Sequence, residues 1–351
     1  MLDEPLDLNY PGEFRLRTAA LPAPWHLATG LMYCEGLSLA ERLSALRFMG
    51  RLRAAKFALA QDCSVEQLLA RHRQSVPACR FLWHPLCIAA LNTAPAHASA
   101  QVFLNVLRDT FTGGAADSRL LLPTADLAAL FPAPAARWLI ARGSSVRTGC
   151  AVSTIARDGD GFQISHLGGN ERFDAVVCAL PPYRVCEVAG SVLPPDAAAA
   201  IDALRYEPIT SIYFQFDADT RLPQAMLGMS GGLLHWVFDR GRLCRQHGLL
   251  GAVISAGGAH AALDHGTLAE QVAMELRKRF PTLGAPQWHK VIAEKRATFA
   301  CTPAMRRPDQ VTGVRGFFLA GDYTSSPYPG TLEAAVRSGT RCARAILGTL
   351  E

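Results

Sequence analysis

A glycine and an aspartate near the end of the chain have the types and spacing that suit a long polar ligand. Gly321 and Asp322 directly follow the apolar run Phe317 to Ala320, and a turn-rich loop leads from them to a predicted helix start at 330–332. Glycine allows a close approach of backbone, and a carboxylate accepts hydrogen bonds from sugar-like hydroxyls. A helix start offers unpaired N–H groups to an electron-rich group. The same pattern is typical of the last strand and helix of an α/β sheet, in which Asp322 only caps the loop.

The composition describes an apolar chain with a modest positive charge. Half of the 351 residues are hydrophobic, 19% are charged, and the mean hydropathy is +0.12. A chain of this length buries a large core and suggests about two domains. The net charge is +5, but nucleic-acid binding needs basic residues clustered on one face. The sequence lacks such a pattern, so we expect no nucleic-acid partner, and an apolar ligand or a membrane surface fits better.

The cysteines and the first residues of the sequence indicate the cellular compartment of the protein. Ten cysteines are scattered without a C-x-x-C motif or metal-ligand spacing, which favours reduced thiols and no metal site. Met1 to Tyr10 is acidic and polar, unlike a signal peptide. No run reaches the about 20 apolar residues of a spanning helix. We therefore expect a cytoplasmic protein whose membrane contact, if present, is peripheral on the inner face. The sequence does not indicate an oligomeric state.

Three capping boxes predict helix starts, because a Ser or Thr followed three residues later by Glu or Gln pairs reciprocally with the backbone. The three pairs are Ser38 with Glu41, Ser64 with Gln67, and Thr267 with Glu270. The first predicted helix carries Leu39, Leu43 and Leu46 on one stripe and arginines around the rest. A basic amphipathic helix either lies on an anionic bilayer or packs on a core as an ordinary surface helix.

Strands are predicted in the second half of the chain. Ala151 to Ala156 and Phe162 to His166 flank a turn, and Phe173 to Leu180 is a continuous apolar run. Further strands are expected at Ser211 to Phe216 and at Leu249 to Ser255. Strands and helices mixed in this way favour an α+β part inserted into an α/β domain. Residues 1 to 24 lack periodicity and are interpreted as a connector or a frayed end.

Four stretches of this sequence resemble a known group of flavoproteins. Phe317 to Gly339 is similar to the C-terminal flavin motif of the amine oxidase and phytoene desaturase superfamily. Leu82 to Thr93, Ser99 to Asp109 and an interrupted third stretch resemble one branch of it, the hydroxysqualene dehydroxylases, also called squalene-associated FAD-dependent desaturases. The third stretch consists of Leu120 to Pro123, Asp126 with Leu127, and Leu130 to Pro132. The resemblance covers nearly the whole chain.

The resemblance implies FAD as the cofactor and a set of residues that bind it. Asp322, beside Gly321, would meet the ribityl chain. The backbone of Gly330, Thr331 and Leu332 would meet the edge of the flavin ring. Val152 would meet the adenine through its backbone. Without the resemblance, Val152 is an ordinary strand valine.

One feature of the superfamily is missing from this sequence. Its members begin with a strand, a G-x-G-x-x-G turn and a helix that seat the pyrophosphate, and no such motif occurs here. The resemblance therefore implies an N-terminally truncated chain. The expected fold is α/β plus α+β, an incomplete FAD-binding Rossmann-like domain interleaved with a mixed-sheet and helical substrate domain. The expected segments are 1–131 and 193–311 for the substrate domain, and 132–192 and 312–351 for the FAD domain.

The resemblance also implies a reaction, the reductive dehydroxylation of hydroxysqualene to squalene in isoprenoid lipid biosynthesis. The alternatives are an isoprenoid or carotenoid desaturase, an amine oxidase-like enzyme, or an inactive relic that lacks the pyrophosphate-binding motif. Aromatic residues of the 80–111 region either line a pocket for an isoprenoid substrate or form plain core: Phe81, Trp83, Phe103 and Phe111. His84 is either a structural histidine or a proton donor. Tyr323 and Tyr328 are either proton donors or aromatic walls, and no catalytic residue is assigned.

Overall fold

The computed structural model describes residues 1–350, except for the side chains of residues 349 and 350. Glu351, the last residue of the predicted 312–351 segment, lies outside the described residues. The strands are β1 Leu2–Glu4, β2 Asp7–Tyr10, β3 Phe14–Arg17, β4 Leu120–Leu122, β5 Val152–Asp158, β6 Gly161–His166, β7 Gly169–Phe173, β8 Val176–Cys178, β9 Tyr206–Gln215, β10 Met226–Gly228, β11 Trp236–Asp239, β12 Leu249–Ser255, β13 Trp288–Phe299 and β14 Phe317–Leu319.

The α-helices include one long C-terminal helix and several short ones. They are α1 Trp25–Met32, α2 Leu39–Ala54, α3 Val65–Arg71, α4 Val76–Ala78, α5 His84–Leu91, α6 Ala100–Phe111, α7 Leu127–Leu130, α8 Pro132–Ile140, α9 Pro182–Ala189, α10 Pro195–Asp202, α11 Arg240–Cys244, α12 His265–Arg279 and α13 Leu332–Leu350. A π-helical turn at Cys79–Trp83 joins α4 to α5. Within residues 1–350, no helix combines the length and the apolarity needed to cross a bilayer.

The chain divides into two compact units, and each unit is built from two separate stretches. Unit 1 contains Met1–Ala135 and Glu207–Ala297, and unit 2 contains Ala136–Tyr206 and the chain from Thr298 onward. The chain therefore passes from one unit to the other three times. The assignment of substrate and cofactor roles to these stretches stays a prediction.

Unit 1 is built around a sheet with strand order β10-β11-β12-β9-β13. The residues of β9 alternate between buried and half-buried along its second half, as expected for a strand that covers a core on one face. Phe214 of β9, Leu250 of β12 and Leu276 of α12 are fully buried in one apolar cluster. Burial of α12 against this sheet therefore holds unit 1 together.

Two of the three predicted capping boxes are confirmed and the third is wrong. Ser38 and Ser64 cap α2 and α3 in reciprocal capping boxes. Thr267 is not a cap, because the carboxylate of Asp264 accepts its backbone N–H at 3.0 Å and α12 begins at His265. Asp and Thr are both good N-cap residues. Because Asp264 and Thr267 are three residues apart, the helix could start after either of them, and the capping-box pattern predicted the later start.

The prediction that residues 1–24 form a connector or frayed end is wrong. Strands β2 and β3 pair as an antiparallel hairpin, and their inward side chains Leu8, Tyr10, Phe14 and Leu16 are buried. Each strand has only four residues, so a period-two pattern is too short to stand out among the surrounding charges. This hairpin belongs to the core of unit 1.

Unit 2 contains a parallel pair of strands and an antiparallel meander. The pair β8 and β14 is parallel, with Phe318 opposite Val177, and β5-β6-β7 form a three-stranded sheet. The predicted single strand Phe173 to Leu180 is wrong, because β7 ends at Phe173 and β8 covers only Val176–Cys178. The predicted apolar strand before Asp322 is confirmed as β14, which ends at Leu319.

Candidate functional site

The turn after β14 depends on a glycine. Gly321 has a φ of +152°, and a Cβ built on it would lie 2.5 Å from the ring of Tyr323. A side chain at this position would therefore meet both an unfavourable backbone conformation and a clash. At Gly321 the backbone therefore approaches the ring of Tyr323 so closely that only glycine fits the turn.

A buried network of polar groups fastens this turn to α13. The backbone N–H of Gly321 donates to the hydroxyl of Ser338 at 3.1 Å, and the two hydroxyls of Ser338 and Thr324 lie 2.8 Å apart. Thr324 also donates to the carbonyl of Gly321 at 2.8 Å and accepts from the amide of Gln310 at 2.9 Å. Because buried polar groups are costly when unpaired, this network fixes the turn relative to the helix.

Arg307 clamps the loop that follows Asp322. Its guanidinium donates to the carbonyl of Asp322 at 3.4 Å, to the carbonyl of Tyr328 at 2.8 Å and to that of Ser326. Its positive charge also lies over the ring of Phe299, 5.2 Å from the ring centre. Burial lowers the pKa of Arg307, but an arginine stays protonated in proteins. The sequence analysis missed this residue, because its partners are backbone atoms 15 to 21 positions away.

The carboxylate of Asp322 is half-buried beside a second glycine. Burial raises the pKa of Asp322, while the backbone N–H of Tyr323 and the charge of Arg307 oppose that rise. A Cβ built on Gly330 would lie 3.2 Å from the carboxylate oxygen Oδ2, so Gly330 is where the backbone comes close to this carboxylate. Gly321, Asp322 and Gly330 are therefore brought together in unit 2.

Burial of this carboxylate predicts a stability effect that can be measured without a ligand. The raised pKa means that folding disfavours the ionised form, so the ligand-free protein loses stability relative to Asp322→Asn as the pH rises above about 4, the ordinary pKa of the unfolded aspartate. We expect Asp322→Asn to have the higher denaturation midpoint at neutral pH and the gap to close in acid. Denaturant titrations at several pH values check this, and a gap that widens in acid would contradict it.

The helix start at Leu332 is capped by Thr331. The Thr331 hydroxyl oxygen accepts the backbone N–H of Ala334 at 3.2 Å. Glu333 pairs with Arg337 one turn later, and the side chain of Leu332 is 72% exposed. A capped helix N-terminus has N–H groups that its own backbone does not use, so the first turn of α13 presents donors and a positive dipole end.

Val152 lies in a different sheet from β14, the strand that leads into Gly321 and Asp322. It begins β5, in the three-stranded sheet of unit 2, and pairs with His166. The ladder is irregular between Val152 and Thr154, which places a β-bulge next to Val152. Five of the six predicted site residues thus lie in one segment, 321–332, and the sixth lies on a separate sheet of the same unit.

The two tyrosines of the loop differ in their surroundings. Tyr323 is 1% exposed, and its hydroxyl has no hydrogen-bond partner within residues 1–350. Burial raises the pKa of Tyr323 above its usual range, so this hydroxyl stays protonated. The ring of Tyr328 is covered by the guanidinium of Arg337, 4.8 Å from the ring centre. Tyr323 is therefore a buried aromatic residue whose hydroxyl is not used in a hydrogen bond within residues 1–350, and Tyr328 is an aromatic surface for Arg337.

Unit 1 contains an apolar cavity of about 210 Å³. Trp83 and Phe111 line it, whereas the predicted lining residues Phe81 and Phe103 do not: Phe81 stacks on Phe14, and Phe103 is buried elsewhere in the core. Arg53 and Thr112 are the polar residues of its lining, and the remaining lining residues are apolar or glycine: Leu6, Leu8, Leu16, Pro24, Leu27, Ala28, Leu31, Leu46, Met49, Gly50, Phe57, Leu82 and Leu86. Such a lining suits a hydrocarbon.

His84 lies in a different cleft of unit 1, with a volume of about 460 Å³. Its Nε2 atom is 3.2 Å from a carboxylate oxygen of Glu66, but the two are not aligned as a hydrogen bond. His235 lines the same cleft, and its Nδ1 accepts the backbone N–H of Ser255 at 3.0 Å. Within residues 1–350, no group of three or more potential metal ligands converges.

Comparison with known proteins identifies the class. The sequence matches the family of flavin containing amine oxidoreductases over residues 5–347, and the chain belongs to this family. The predicted cofactor, FAD, and the predicted class, the FAD-dependent oxidoreductases, are confirmed by that membership. The residues of segment 321–332 fit such a cofactor, because the half-buried carboxylate, the close glycine and the capped helix start match a polyhydroxyl chain joined to an electron-rich ring.

Among characterised proteins the chain is similar to hydroxysqualene dehydroxylases. It is 32% identical to that of Rhodopseudomonas palustris over 271 residues, 75% of this chain and 61% of the relative. It is 30% identical to that of Sinorhizobium fredii over 273 residues, with the same coverage. The 15-cis-phytoene desaturase of Synechococcus elongatus is 28% identical over 235 residues, 59% of this chain and 48% of the relative. The chain spans about 61% of the length of the two dehydroxylases.

Solved structures confirm the predicted fold class. Putrescine oxidase, in a triple mutant with redesigned cofactor binding, is 13% identical, with a TM-score of 0.68 over 99% of this chain and 82% of that chain. Cyclohexylamine oxidase from Brevibacterium oxydans is 17% identical, with a TM-score of 0.65 over 99% and 81%. The chain therefore has the mixed α/β fold of these oxidases.

Proposed function

We propose that this chain acts in the FAD-dependent reductive dehydroxylation of hydroxysqualene to squalene. The observation that supports it is the identity of 30% or more to two hydroxysqualene dehydroxylases over 75% of the chain. In this reaction the C–O bond of an allylic alcohol breaks, the hydroxyl leaves as water after gaining a proton, and a C–H bond forms. FAD, when bound and reduced, supplies the hydride.

We assign cofactor binding to unit 2. The carboxylate of Asp322 accepts hydrogen bonds from ribityl hydroxyls, and Gly321 and Gly330 allow the backbone to approach. The first turn of α13, from Thr331 and Leu332, directs its N–H groups at the edge of the ring. The backbone of Val152 meets the adenine. Tyr323 is assigned a packing role instead of proton donation, because its hydroxyl is buried and its raised pKa makes it a poor acid.

We assign substrate binding to unit 1. The apolar cavity lined by Trp83 and Phe111 takes part of the hydrocarbon chain. An allylic cation is captured by any water that reaches it, so an apolar lining serves the reaction as well as the binding. Under this assignment the residues of unit 1 exclude water, and those of unit 2 hold the cofactor.

An anaerobic assay tests the proposal. The purified chain is loaded with FAD, desalted, reduced and mixed with hydroxysqualene. We expect one squalene for each FAD reoxidised, measured by gas chromatography and the visible flavin spectrum. A protein that retains FAD, stays reduced and leaves hydroxysqualene unchanged would contradict dehydroxylation.

A second candidate is desaturation, in which hydride passes from an isoprenoid hydrocarbon to FAD. The 28% identity to a 15-cis-phytoene desaturase favours it. The same loaded protein, kept oxidised and mixed with phytoene, separates the two candidates. Flavin bleaching with phytoene and no reaction with hydroxysqualene would replace the first proposal by the second.

A further inference from the structure

The apolar cavity of unit 1 opens between the first turn of α1 and the last turns of α2. Leu27 of α1 and Pro24, which directly precedes α1, line it on one side, and Met49, Gly50 and Arg53 line it from α2. Of all the lining residues, Gly50, Arg53 and Thr112 are exposed. They therefore mark the cavity mouth, which we define as Gly50, Arg53 and Thr112 together with the start of α1.

Large apolar side chains are exposed beside this mouth. Trp25, the first residue of α1 and the neighbour of Pro24, is 64% exposed, and Leu21 is 42% exposed. Exposed tryptophan is uncommon on a protein surface in contact with water. Its amphipathic ring is instead favoured at the boundary between lipid headgroups and hydrocarbon.

The end of α2 at this mouth is basic. The stretch from Arg42 to Lys56 contains no acidic residue. Arg53, which lines the cavity, and Lys56, two residues after α2, are exposed, whereas the exposed Arg47 and Arg51 lie on a different side of the helix. Arginine and lysine stems cover apolar surface while their charged heads stay in water or meet phosphate, so Arg53 is suited to the boundary between the cavity and anionic headgroups.

The size of the cavity limits what it holds. Its volume of about 210 Å³ is of the order of the roughly 150 Å³ cavity that holds one benzene molecule. It therefore accepts one end or segment of a long isoprenoid, and the rest of the chain extends beyond the mouth. In water that extended part would be exposed, which the hydrophobic effect opposes, whereas in a bilayer it stays in hydrocarbon.

We propose that the cavity mouth docks on an anionic lipid bilayer and that an apolar chain passes between the bilayer and the cavity. A bilayer is the partner that fits this surface best. Its headgroup boundary suits the exposed tryptophan, its anionic headgroups attract the basic residues, and its hydrocarbon holds the part of an apolar chain that the cavity is too small to enclose. The identity of the chain as an isoprenoid rests on the proposed function, whereas the docking itself does not.

Vesicle sedimentation of the 351-residue chain tests the docking. We expect binding to vesicles of phosphatidylcholine with phosphatidylglycerol, weak binding to phosphatidylcholine alone, and loss of binding at high salt. Trp25→Ala should weaken binding severalfold. Trp288→Ala is the matched control, because Trp288 is 48% exposed on β13 of the same unit, and it should bind as the unaltered chain does. Equal weakening by the two substitutions overturns the proposal.

A second pair of variants tests the charge. Arg53→Gln with Lys56→Gln should weaken binding to the anionic vesicles about tenfold or more. Arg277→Gln with Lys278→Gln removes two exposed charges from the last turn of α12 and should leave binding unchanged. Equal losses in the two pairs would mean attraction by net charge only and overturn the proposal, provided that all variants have the same thermal unfolding midpoint.

The outcomes also separate the docking from the reaction. Binding to vesicles needs neither FAD nor hydroxysqualene, so specific binding without turnover supports the docking and contradicts the proposed function. Turnover of hydroxysqualene in detergent without binding to anionic vesicles at low salt overturns the docking and leaves the proposed function in place.

Discussion

Replacing Asp322 with alanine is expected to weaken FAD binding by about tenfold to a hundredfold. A hydrogen bond to a charged group contributes about 1.5–3 kcal/mol, and each 1.4 kcal/mol corresponds to about a factor of ten in the dissociation constant. The Asp322 carboxylate is half-buried and destabilised in the free protein, as its raised pKa indicates. Hydroxyl donors on a bound ligand would relieve that cost. Titration of FAD fluorescence with each protein measures the change.

The matched control is Asp160→Ala. Asp160 lies in the same unit, but its side chain is 99% exposed, so its removal should leave FAD affinity unchanged. Asp322→Asn keeps the shape of the side chain and one acceptor, and it should fall between the parent and Asp322→Ala. If Asp322→Ala binds FAD as tightly as Asp160→Ala does, Asp322 does not hold the cofactor.

Features carried by a continuous stretch of sequence were predictable. The strand, the glycine–aspartate turn and the helix of segment 317–339 follow each other directly, and the structure has them as β14, the Gly321 turn and α13. The caps at Ser38 and Ser64 were predictable for the same reason, since both partners lie within four residues. Such local patterns depend on backbone geometry more than on tertiary context.

Features that depend on distant partners were not predictable. The β2–β3 hairpin is specified by burial against the core of unit 1 rather than by a long alternating pattern. The sequence also could not show which aromatic residues line the cavity of unit 1. Trp83 lines it and Phe103 does not, although both lie in apolar stretches. Periodicity shows that a residue faces inward, but it does not show which interior surface the residue meets.

Arg307 is the clearest residue of this kind. Its acceptors are main-chain carbonyls of the loop from Asp322 to Tyr328, and a carbonyl has the same chemistry whatever its residue type. No pattern of side chains in the sequence therefore marks the contact. Its role is visible only because the fold brings residues 307 and 322–328 together.

Removing Arg307 should cost both stability and FAD affinity. Arg307→Ala removes three hydrogen bonds from a charged donor to main-chain carbonyls, and a hydrogen bond to a charged group contributes about 1.5–3 kcal/mol. We expect the free energy of unfolding of the FAD-free protein to fall by about 3 kcal/mol or more, measured by denaturant titration. Because the same carbonyls fix the loop that follows Asp322, FAD affinity should fall as well.

Two further variants, Arg306→Ala and Arg307→Lys, show whether Arg307 acts through its hydrogen bonds to the loop or only through its positive charge. Arg306 is exposed, so Arg306→Ala removes the same charge next door and should change neither quantity. Arg307→Lys keeps the charge, but an ammonium group lacks the planar fork that reaches three acceptors. We expect it to recover part of the stability and less of the FAD affinity, because affinity depends on the geometry of the loop as well as on its presence. Full recovery of both by lysine would mean that the charge of Arg307, and not its clamp on the loop, supports the site.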